Sequence, residues 1–401
     1  MSVNKRWVIT DSRSSFSTSD FAIPGEELGL GPAAYCRKRT LSGGRQSGVE
    51  IIELSNGVVT LRICPTRGMG IIDGSFGGPA GGPAGGPPNG HTLGWQSPVR
   101  EIVHPAYINL YDLGGRGAHY GFNELLNRCG IEWSGAMGED EAVDNMGNRT
   151  PVFLPLHGKV GWTPASRVEL AASDGEVCLE GDVPEQNVFG VNYLLKTRLT
   201  LRAGTSRIEI RDTLCNLGAL PGEYEMLYHI NFGPPILEAG SRYYANYQRV
   251  VPRDSFAAAG MGNLSSFPGP SAGFIEQVFL FRGAPDDAGW AHQLLANADQ
   301  TLAVRVSYGV RTLPYVILWK RCAALEEGYV AGLNPCSDLP STRRVERAGG
   351  RLKTIAAGEE ADFSCIIEPI EGPDRVAAAV AGIERFRTDA LVGKAGDFGW
   401  L

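Results

Sequence analysis

The sequence predicts an all-β protein, and three observations lead to that fold class. Strand-length runs alternate apolar with polar residues at period two, as in "RIEIRDTLCN", the pattern of a strand with one buried face. The chain has 53 glycines and 25 prolines in 401 residues, and turn residues bound these runs. Helical periodicity is scarce. The chain is therefore long enough, and suitably patterned, for one large antiparallel β domain.

In chain order the elements divide into three parts. Residues 1–45 contain Ser-rich and Gly/Pro-rich pieces, and we expect an N-terminal extension or edge strands there. Residues 46–372 contain the strands of the main β-sandwich, with residues 77–90, "GGPAGGPAGGPPNG", as a flexible insertion. Residues 373–401 are predicted to form a helix and tail, because apolar residues recur there at helical spacing. These residues are Val376, Val380, Ile383 and Phe386.

The composition excludes several classes of partner. Lys and Arg number 37 against 44 Asp and Glu, so the net charge of -7 argues against nucleic acid, which needs a concentrated basic surface. No apolar run approaches the roughly 20 residues of a membrane span, and the N-terminus lacks a signal-peptide core, so we expect a cytoplasmic protein without a membrane partner. The eight cysteines are scattered without a CxxC pair, which predicts reduced thiols rather than disulfides or a zinc site.

Two of the six histidines stand where a strand runs into a turn. His157 lies in "LPLHGKVGW" and His229 in "YEMLYHINFGPPIL", each after an apolar approach. A buried histidine that is satisfied by a backbone carbonyl is the ordinary interpretation of either one. Two such histidines at strand ends favour a shared site.

These motifs also carry a family resemblance. "LPLHGKVGW" and "MLYHINFGPPIL", followed by "LPYVILWK" and "GLNPCSDLPSTRR", resemble the aldose 1-epimerase (galactose mutarotase) superfamily. "CPTRGMGI" and "GFNELLNRCGIEWSG" are similar to an uncharacterised bacterial branch of it, of the DUF4432 type. The resemblance implies a galactose-mutarotase-like antiparallel β-supersandwich with a concave sugar-binding face, a small-molecule carbohydrate as partner and no cofactor. It also implies acid and base groups on opposite sides of the sugar.

The resemblance assigns roles to several residues. His229 matches the general acid of the family, and His157 matches its second histidine, which hydrogen-bonds sugar oxygens and polarises the ring oxygen. Asn231 and Lys320 are predicted to line the same face, with a turn-capping amide and a solvated strand-end lysine as the ordinary alternatives. Apart from the resemblance, Arg116 among glycines could bind an anionic sugar, a phosphate or an acid group, because guanidinium binds oxyanions bidentately, although a solvated loop arginine is the more ordinary interpretation. Aromatic side chains that could stack on a sugar are Trp95, Tyr107, Phe122 and Trp133.

The base is the point where the resemblance fails. Asn334 of "GLNPCSD" stands where the family has glutamate, and an amide cannot take a proton near neutral pH, although it can hydrogen-bond a sugar hydroxyl. Asp338 substitutes only if the turn brings it back to the site. Glu225 and Glu327 are further candidates.

Three functions therefore remain open from the sequence. The first is a carbohydrate-active aldose 1-epimerase, and the second is a sugar-binding protein that lost the catalytic glutamate. The third is a keto-sugar isomerase or lyase in which the histidines and Glu225 or Glu124 hold a divalent metal, without HxH spacing to support it. Exposed sandwich edges also leave a homo-oligomer open.

Overall fold

The computed structural model describes residues 4–77, 90–173 and 175–401, and their strands follow one another along almost the whole chain. The strands are β1 (Lys5–Asp11), β2 (Phe16–Ser17), β3 (Phe21–Pro24), β4 (Tyr35–Thr40), β5 (Glu50–Ser55), β6 (Val59–Cys64), β7 (Gly70–Phe76), β8 (His91–Leu93), β9 (Leu126–Ile131), β10 (Gly138–Val143), β11 (Arg149–Leu154), β12 (Arg167–Ser173), β13 (Glu176–Gln186), β14 (Asn192–Arg202), β15 (Ile208–Asn216), β16 (Gly222–Phe232), β17 (Arg242–Ala245), β18 (Tyr247–Pro252), β19 (Gln277–Gly283), β20 (Trp290–Ala296), β21 (Leu302–Gly309), β22 (Tyr315–Arg321), β23 (Val330–Cys336), β24 (Lys353–Ile355), β25 (Glu360–Glu371) and β26 (Leu391–Val392).

The helices of the described residues are short. The α-helices are α1 (Gly25–Leu28), α2 (Asp112–Gly115), α3 (Ser255–Ala259), α4 (Arg343–Ala348) and α5 (Pro373–Glu384). The 3-10 turns are Ser12–Ser14, Gly44–Gln46, Pro105–Tyr107, Gly117–Tyr120, Val160–Trp162, Met261–Asn263, Leu325–Glu327 and Phe398–Trp400. None of these helices has the length and apolar character that a membrane crossing requires.

Two large sheets make up the fold. The first has ten strands in the order β17-β20-β21-β25-β15-β14-β13-β12-β1-β2. The second, of 14 strands, runs β26-β18-β19-β22-β23-β16-β9-β7-β6-β5-β4-β3, with β24 beside β16 and β8 beside β7. Strands β10 and β11 form a separate pair. Within the described sheets only β26 pairs in parallel, with β18, so the predicted antiparallel all-β fold is confirmed.

The main hydrophobic core lies between the two sheets. Leu170, Leu179 and Leu195 of the ten-stranded sheet belong to the same buried cluster as Leu54 and Leu61 of the 14-stranded sheet. Alternation along each strand sends the other side chains to the outer faces. All eight cysteines are buried and unpaired.

Both ends of the chain join the sandwich. The first 45 residues supply β1 and β2 at one edge of the ten-stranded sheet and β3 at an edge of the other, so they are part of the sheets. Helix α5 lies in the predicted C-terminal segment and buries Val376 and Ile383. Residues 398–401 pack on a second apolar cluster, on the outer face of the 14-stranded sheet. Of the predicted flexible insertion at 77–90, residues 78–89 lie outside the described residues.

Candidate active site

The two faces of strand β16 differ in character. Tyr228 and Ile230 point into the core between the sheets. By alternation Glu225, Leu227, His229 and Asn231 share the opposite, outer face. His229 is 7% exposed there, which leaves part of its ring open to a ligand.

Aromatic rings surround His229 on this face. The Phe122 ring centre lies 5.0 Å from that of His229 and the Trp319 ring centre 5.3 Å away, both nearly perpendicular to the imidazole. The His157 ring centre is 5.4 Å from that of His229, with 73° between the planes. The structure thus brings the two predicted histidines together, beside two aromatic faces of the kind that stack on sugar rings.

Glycines in the "LHGKVG" segment allow His157 to reach this position. His157 itself has a left-handed φ of 64°, and its backbone N–H donates to the Gly135 carbonyl at 3.0 Å. A Cβ on Gly158 would lie 2.4 Å from the Gly130 oxygen, and one on Gly161 would lie 2.1 Å from the Asn127 side-chain oxygen. Only glycine permits such an approach to strand β9, so these two residues position the His157 turn.

Asn231 holds the His229 ring. The His229 Nδ1 atom lies 2.8 Å from Asn231 Oδ1, and Asn231 Nδ2 donates to the Glu124 carbonyl at 3.0 Å. Asn231 is fully buried. It belongs to the site as predicted, but it orients His229 and does not line an open surface.

Both site histidines are held neutral near pH 7. Burial lowers the pKa of His229 to about 4, against the opposing effects of the Asn231 hydrogen bond and the Glu276 carboxylate. Burial also lowers the pKa of His157 well below its usual value, and the neighbouring His229 ring lowers it further. The buried Nδ1 of His157 has no partner among the described residues. Because a buried N–H without an acceptor is costly, we place the His157 proton on Nε2.

A buried ion pair lies next to the site and supports it. Arg67 and Glu124 are both 0% exposed and form a side-chain ion pair. The Glu124 carboxylate also accepts from Asn127, the β9 residue directly opposite His229, at 3.3 Å. The Arg67 guanidinium lies 4.6 Å from the Trp162 ring centre. The Glu124 carboxylate therefore has a structural role, because Arg67 and Asn127 bind it.

Asn334 lies beside His229, but its side-chain oxygen already accepts a hydrogen bond from the backbone. The pairs Leu227–Cys336 and Asn231–Gly332 bracket the position and set Asn334 of β23 next to His229 of β16. Asn334 is 1% exposed, and its Oδ1 accepts from the Ile230 backbone N–H at 2.9 Å. The residue at the expected glutamate position thus completes the contact between two strands.

The alternative carboxylates from the sequence lie elsewhere. Glu225 is four residues before His229 on the same strand, a separation of roughly 13 Å. Asp338 is 1% exposed and its carboxyl group lies near that of Glu225, whose charge raises the Asp338 pKa, so the turn does not return Asp338 to the histidines. Glu327 ends the exposed 3-10 turn Leu325–Glu327. The expectation that Asp338 lines the histidine site is corrected, because its carboxyl group is buried against Glu225.

The Asp338–Glu225 pair leads to a prediction about stability. Burial raises the pKa of Asp338 well above its usual range, and the Glu225 charge raises it further. Burial likewise raises the pKa of Glu225. The folded protein therefore holds protons that the unfolded chain releases above about pH 4, so the pair costs stability as pH rises from there.

We expect Asp338→Asn to match the wild type at pH 4 and to be more stable by about 1–3 kcal/mol at pH 8, because the amide keeps a donor towards Glu225. Urea unfolding at the two pH values measures this difference. Asp389→Asn, an exposed carboxylate, serves as the control and should change little at either pH. A loss of stability in Asp338→Asn at pH 8 would contradict this prediction, because it would show that the buried Asp338 carboxyl group stabilises the fold at that pH.

Lys320 does not face the histidines. It alternates with Trp319 on β22 and points to the opposite side of the sheet, where it is 1% exposed. Its Nζ donates to the Asn263 and Ser266 carbonyls at 2.8 and 2.7 Å, and burial lowers its pKa to about 8. The prediction that Lys320 lines the site is corrected, because neighbouring residues of a strand face opposite ways.

Two positively charged side chains, Arg116 and Arg321, lie near His119 of this region. Arg116 is exposed, and its guanidinium donates to the Leu113 carbonyl at 3.3 Å. Arg321 follows Trp319 by two residues on the same face and donates to the Glu327 carbonyl at 3.4 Å. Burial lowers the pKa of His119, which lies between Arg116 and Phe122 in sequence, and the charges of both arginines lower it further. Among the described residues neither arginine has a carboxylate partner.

Glu276 is a carboxylate of the site that the sequence did not indicate. It precedes β19 and is 36% exposed. One oxygen accepts from the Trp319 indole N–H at 2.7 Å and the other lies 3.0 Å from Arg253. No motif distinguished Glu276, because only the pairing of β19 with β22 brings it to Trp319.

Of the other aromatic candidates, Trp95 lies 5.7 Å from Phe122, whereas Tyr107 is exposed and Trp133 is buried. Among residues 4–77, 90–173 and 175–401, three His, Cys, Asp or Glu side chains nowhere come together as metal ligands. The residues named for a metal do not fit that purpose, since Glu225 is remote from the histidines and Glu124 is paired with Arg67.

The sandwich and its outer-face histidines define a protein of the galactose-mutarotase-like class. The chain belongs to the DUF4432 family, a domain of unknown function, whose model matches residues 46–368. No curated protein matches the sequence.

Several solved structures are similar to this chain. A Klebsiella pneumoniae protein described as a "putative aldose 1-epimerase" is 29% identical and superposes with a TM-score of 0.87 over 98% of each chain. A galactose mutarotase-like protein from Clostridium acetobutylicum is 14% identical, with a TM-score of 0.55 over 84% of this chain and 99% of its own. A protein from Escherichia coli K12 with the same description as the Klebsiella protein is 14% identical, with a TM-score of 0.51 over 81% of this chain and 100% of its own. The predicted superfamily, branch and fold are confirmed.

Proposed function

We propose that the protein is an aldose 1-epimerase that interconverts the anomers of a sugar by proton transfer. One observation carries the proposal: two neutral imidazoles, with ring centres 5.4 Å apart and 73° between their planes, lie beside the Phe122 and Trp319 rings. Neutral imidazoles can exchange protons with hydroxyl groups near pH 7. The similarity to the Klebsiella protein supports the same reaction class.

Each group has a place in this proposal. The sugar ring rests on the aromatic faces, His157 donates a hydrogen bond from Nε2 to the ring oxygen, and His229 exchanges a proton with the sugar. Opening the ring gives the free aldehyde, and rotation about C1–C2 before closure gives the other anomer. Glu276 can accept a hydroxyl hydrogen bond, since Arg253 and Trp319 leave lone pairs on its oxygens.

The positive charge near His119 supports an anionic substrate. Among the described residues Arg116 and Arg321 have no carboxylate partner, whereas Arg253 is paired with Glu276. Guanidinium groups bind carboxylates and phosphates with two parallel hydrogen bonds. The substrate class we propose is therefore an aldose that carries a carboxylate or phosphate.

A panel of freshly dissolved sugars tests both parts of the proposal. Polarimetry should show faster anomer interconversion with the protein, and a hexuronate or hexose phosphate should have a kcat/KM at least about 10-fold above that of the neutral hexose, as one charged contact allows. Arg321→Gln should remove most of that preference while sparing the neutral hexose. Arg100→Gln provides the matched control, at an arginine whose side chain bonds Gln96 and no other side chain of the described residues.

The outcomes separate the two parts. Acceleration of neutral sugars alone would remove the anionic substrate but keep the reaction. No acceleration of any sugar would reject the epimerase.

A second function is favoured by one observation. The position beside His229 holds Asn334, whose oxygen bonds the Ile230 backbone, so a glutamate base is absent at this point. A sugar-binding protein without catalysis would have such a site. Saturable sugar binding by calorimetry, together with unchanged anomer interconversion, would support this second function.

A further inference from the structure

The hydrogen bonds around Asn231 determine which nitrogen of His229 carries the proton. Asn231 Nδ2 lies 3.0 Å from the Glu124 carbonyl and 3.3 Å from the His229 carbonyl, and both of these oxygens only accept. The amide is thereby oriented with Oδ1 towards His229 Nδ1, at 2.8 Å. Since Oδ1 is also only an acceptor, Nδ1 must be the donor.

The neutral ring consequently has a lone pair on Nε2. This atom has no protein partner among the described residues and is not one of their buried, unsatisfied atoms. It therefore belongs to the open part of the ring. A neutral imidazole in this tautomer accepts a proton at Nε2 and has none there to give.

The charged and titratable groups that face His229 come from four elements. His157 lies in the turn before the 3-10 helix Val160–Trp162, and His119 in Gly117–Tyr120. Glu276 precedes β19, and its charge favours the protonated form of His229. Behind Asn231 lies Glu124, whose charge is compensated by Arg67. Of these groups only Glu276 opposes the neutral form, and burial outweighs it.

We propose that His229 is the catalytic base of the reaction, accepting the anomeric proton at Nε2. This assignment rests on the proposed function and reverses the role of acid that the family resemblance gives to His229. It also explains how the site works with Asn334, because the base is already present on the neighbouring strand.

His229 alone can carry out both proton transfers of ring opening. The O1–H bond breaks and its proton moves to Nε2, while the O1 electron pair forms the C1=O double bond. The C1–O5 bond breaks, its electron pair stays on O5, and the imidazolium returns the same proton to O5. Both oxygens are bonded to C1 in the closed ring, so one nitrogen can serve both, while His157 stabilises the charge that develops on O5.

The pH dependence distinguishes a base from an acid. If His229 is the base, kcat/KM rises through about pH 4, the pKa at which the free enzyme loses its imidazolium proton, and stays level to pH 9. If His229 is the acid, kcat/KM falls about tenfold for each pH unit above that value. A decline of this kind would overturn the proposal.

A carboxylate variant provides the matched comparison. Glu276→Gln keeps an acceptor for the Trp319 indole and for a sugar hydroxyl but cannot take up a proton, so kcat/KM at pH 7 should fall by less than about 10-fold, through weaker sugar binding. Loss of activity by more than about 100-fold, with sugar binding and thermal stability unchanged, would identify Glu276 as the base instead.

Nitrogen NMR of His229 tests the tautomer without any activity. The wild type at pH 7 should show a protonated Nδ1 and an unprotonated Nε2, and Asn231→Ala should shift the ring towards the other tautomer and lower kcat about 10-fold or more with little change in KM. A wild-type ring protonated at Nε2 would overturn the inference even if the protein is active. An inactive protein with the expected tautomer would instead reject the proposed epimerase function, and with it the catalytic role.

Discussion

Replacing His229 by glutamine is expected to slow enzyme-catalysed anomer interconversion by about 1000-fold, within the range that general acid–base groups contribute. Glutamine keeps a similar size and polarity against Asn231 but takes up no proton near neutral pH. Exchange spectroscopy between the two anomeric signals at pH 7 measures the rate directly. Sugar binding, followed by calorimetry, should change less than about 10-fold, because the aromatic faces remain.

The control for His229→Gln is His119→Gln. His119 is also a histidine of this region, in the turn Gly117–Tyr120, and the proposed proton transfer does not use it. Its rate should stay within about threefold of the wild type. If His229→Gln retained its activity and His119→Gln lost it, proton transfer would belong to His119.

Replacing Arg67 by methionine should have the largest effect on stability. The change leaves the Glu124 carboxylate buried without its partner, and removing one member of a buried ion pair typically costs about 3–5 kcal/mol. The unfolding free energy from urea titration should fall by that amount. The site should suffer as well, since the Glu124 backbone carbonyl holds Asn231 and accepts from the Trp95 indole.

Two further variants test the cause of that loss. Adding Glu124→Gln to Arg67→Met removes the unpaired charge and should recover at least about 1 kcal/mol, an interaction that a double-mutant cycle measures. Arg62→Met breaks the partly exposed pair with Asp73 and should cost less than about 1 kcal/mol. Equal losses in Arg67→Met and Arg62→Met would show that burial is not the cause.

The alternation of side chains between the two faces of a strand explains which site residues could be predicted. The sequence predicts His229 because a histidine stands at the end of an apolar strand, and the family resemblance places Asn231 on the same face. On β22 almost every side chain is buried, so the sequence does not reveal which face is outermost. The sequence predicts Lys320 as the site residue of this strand, whereas Trp319 is the residue that contacts His229.

Long-range pairing explains what the sequence did not reveal. Glu276 reaches Trp319 only because β19 pairs with β22, and Asp338 is turned away by its contact with Glu225. Nothing local to either carboxylate indicates this, since both partners lie more than 40 residues away in the chain.

The sequence by itself determined the all-β fold, the family and the two histidines, because period-two alternation, turn residues and short motifs are local properties of the chain. The tertiary structure alone decided that Asn334 joins two strands, that Glu276 is the open carboxylate beside Trp319, and that His229 carries its proton on Nδ1. Each of these features depends on which strands are neighbours and on which nearby oxygens can only accept hydrogen bonds. Both are decided when strands that are distant in the sequence pair with each other.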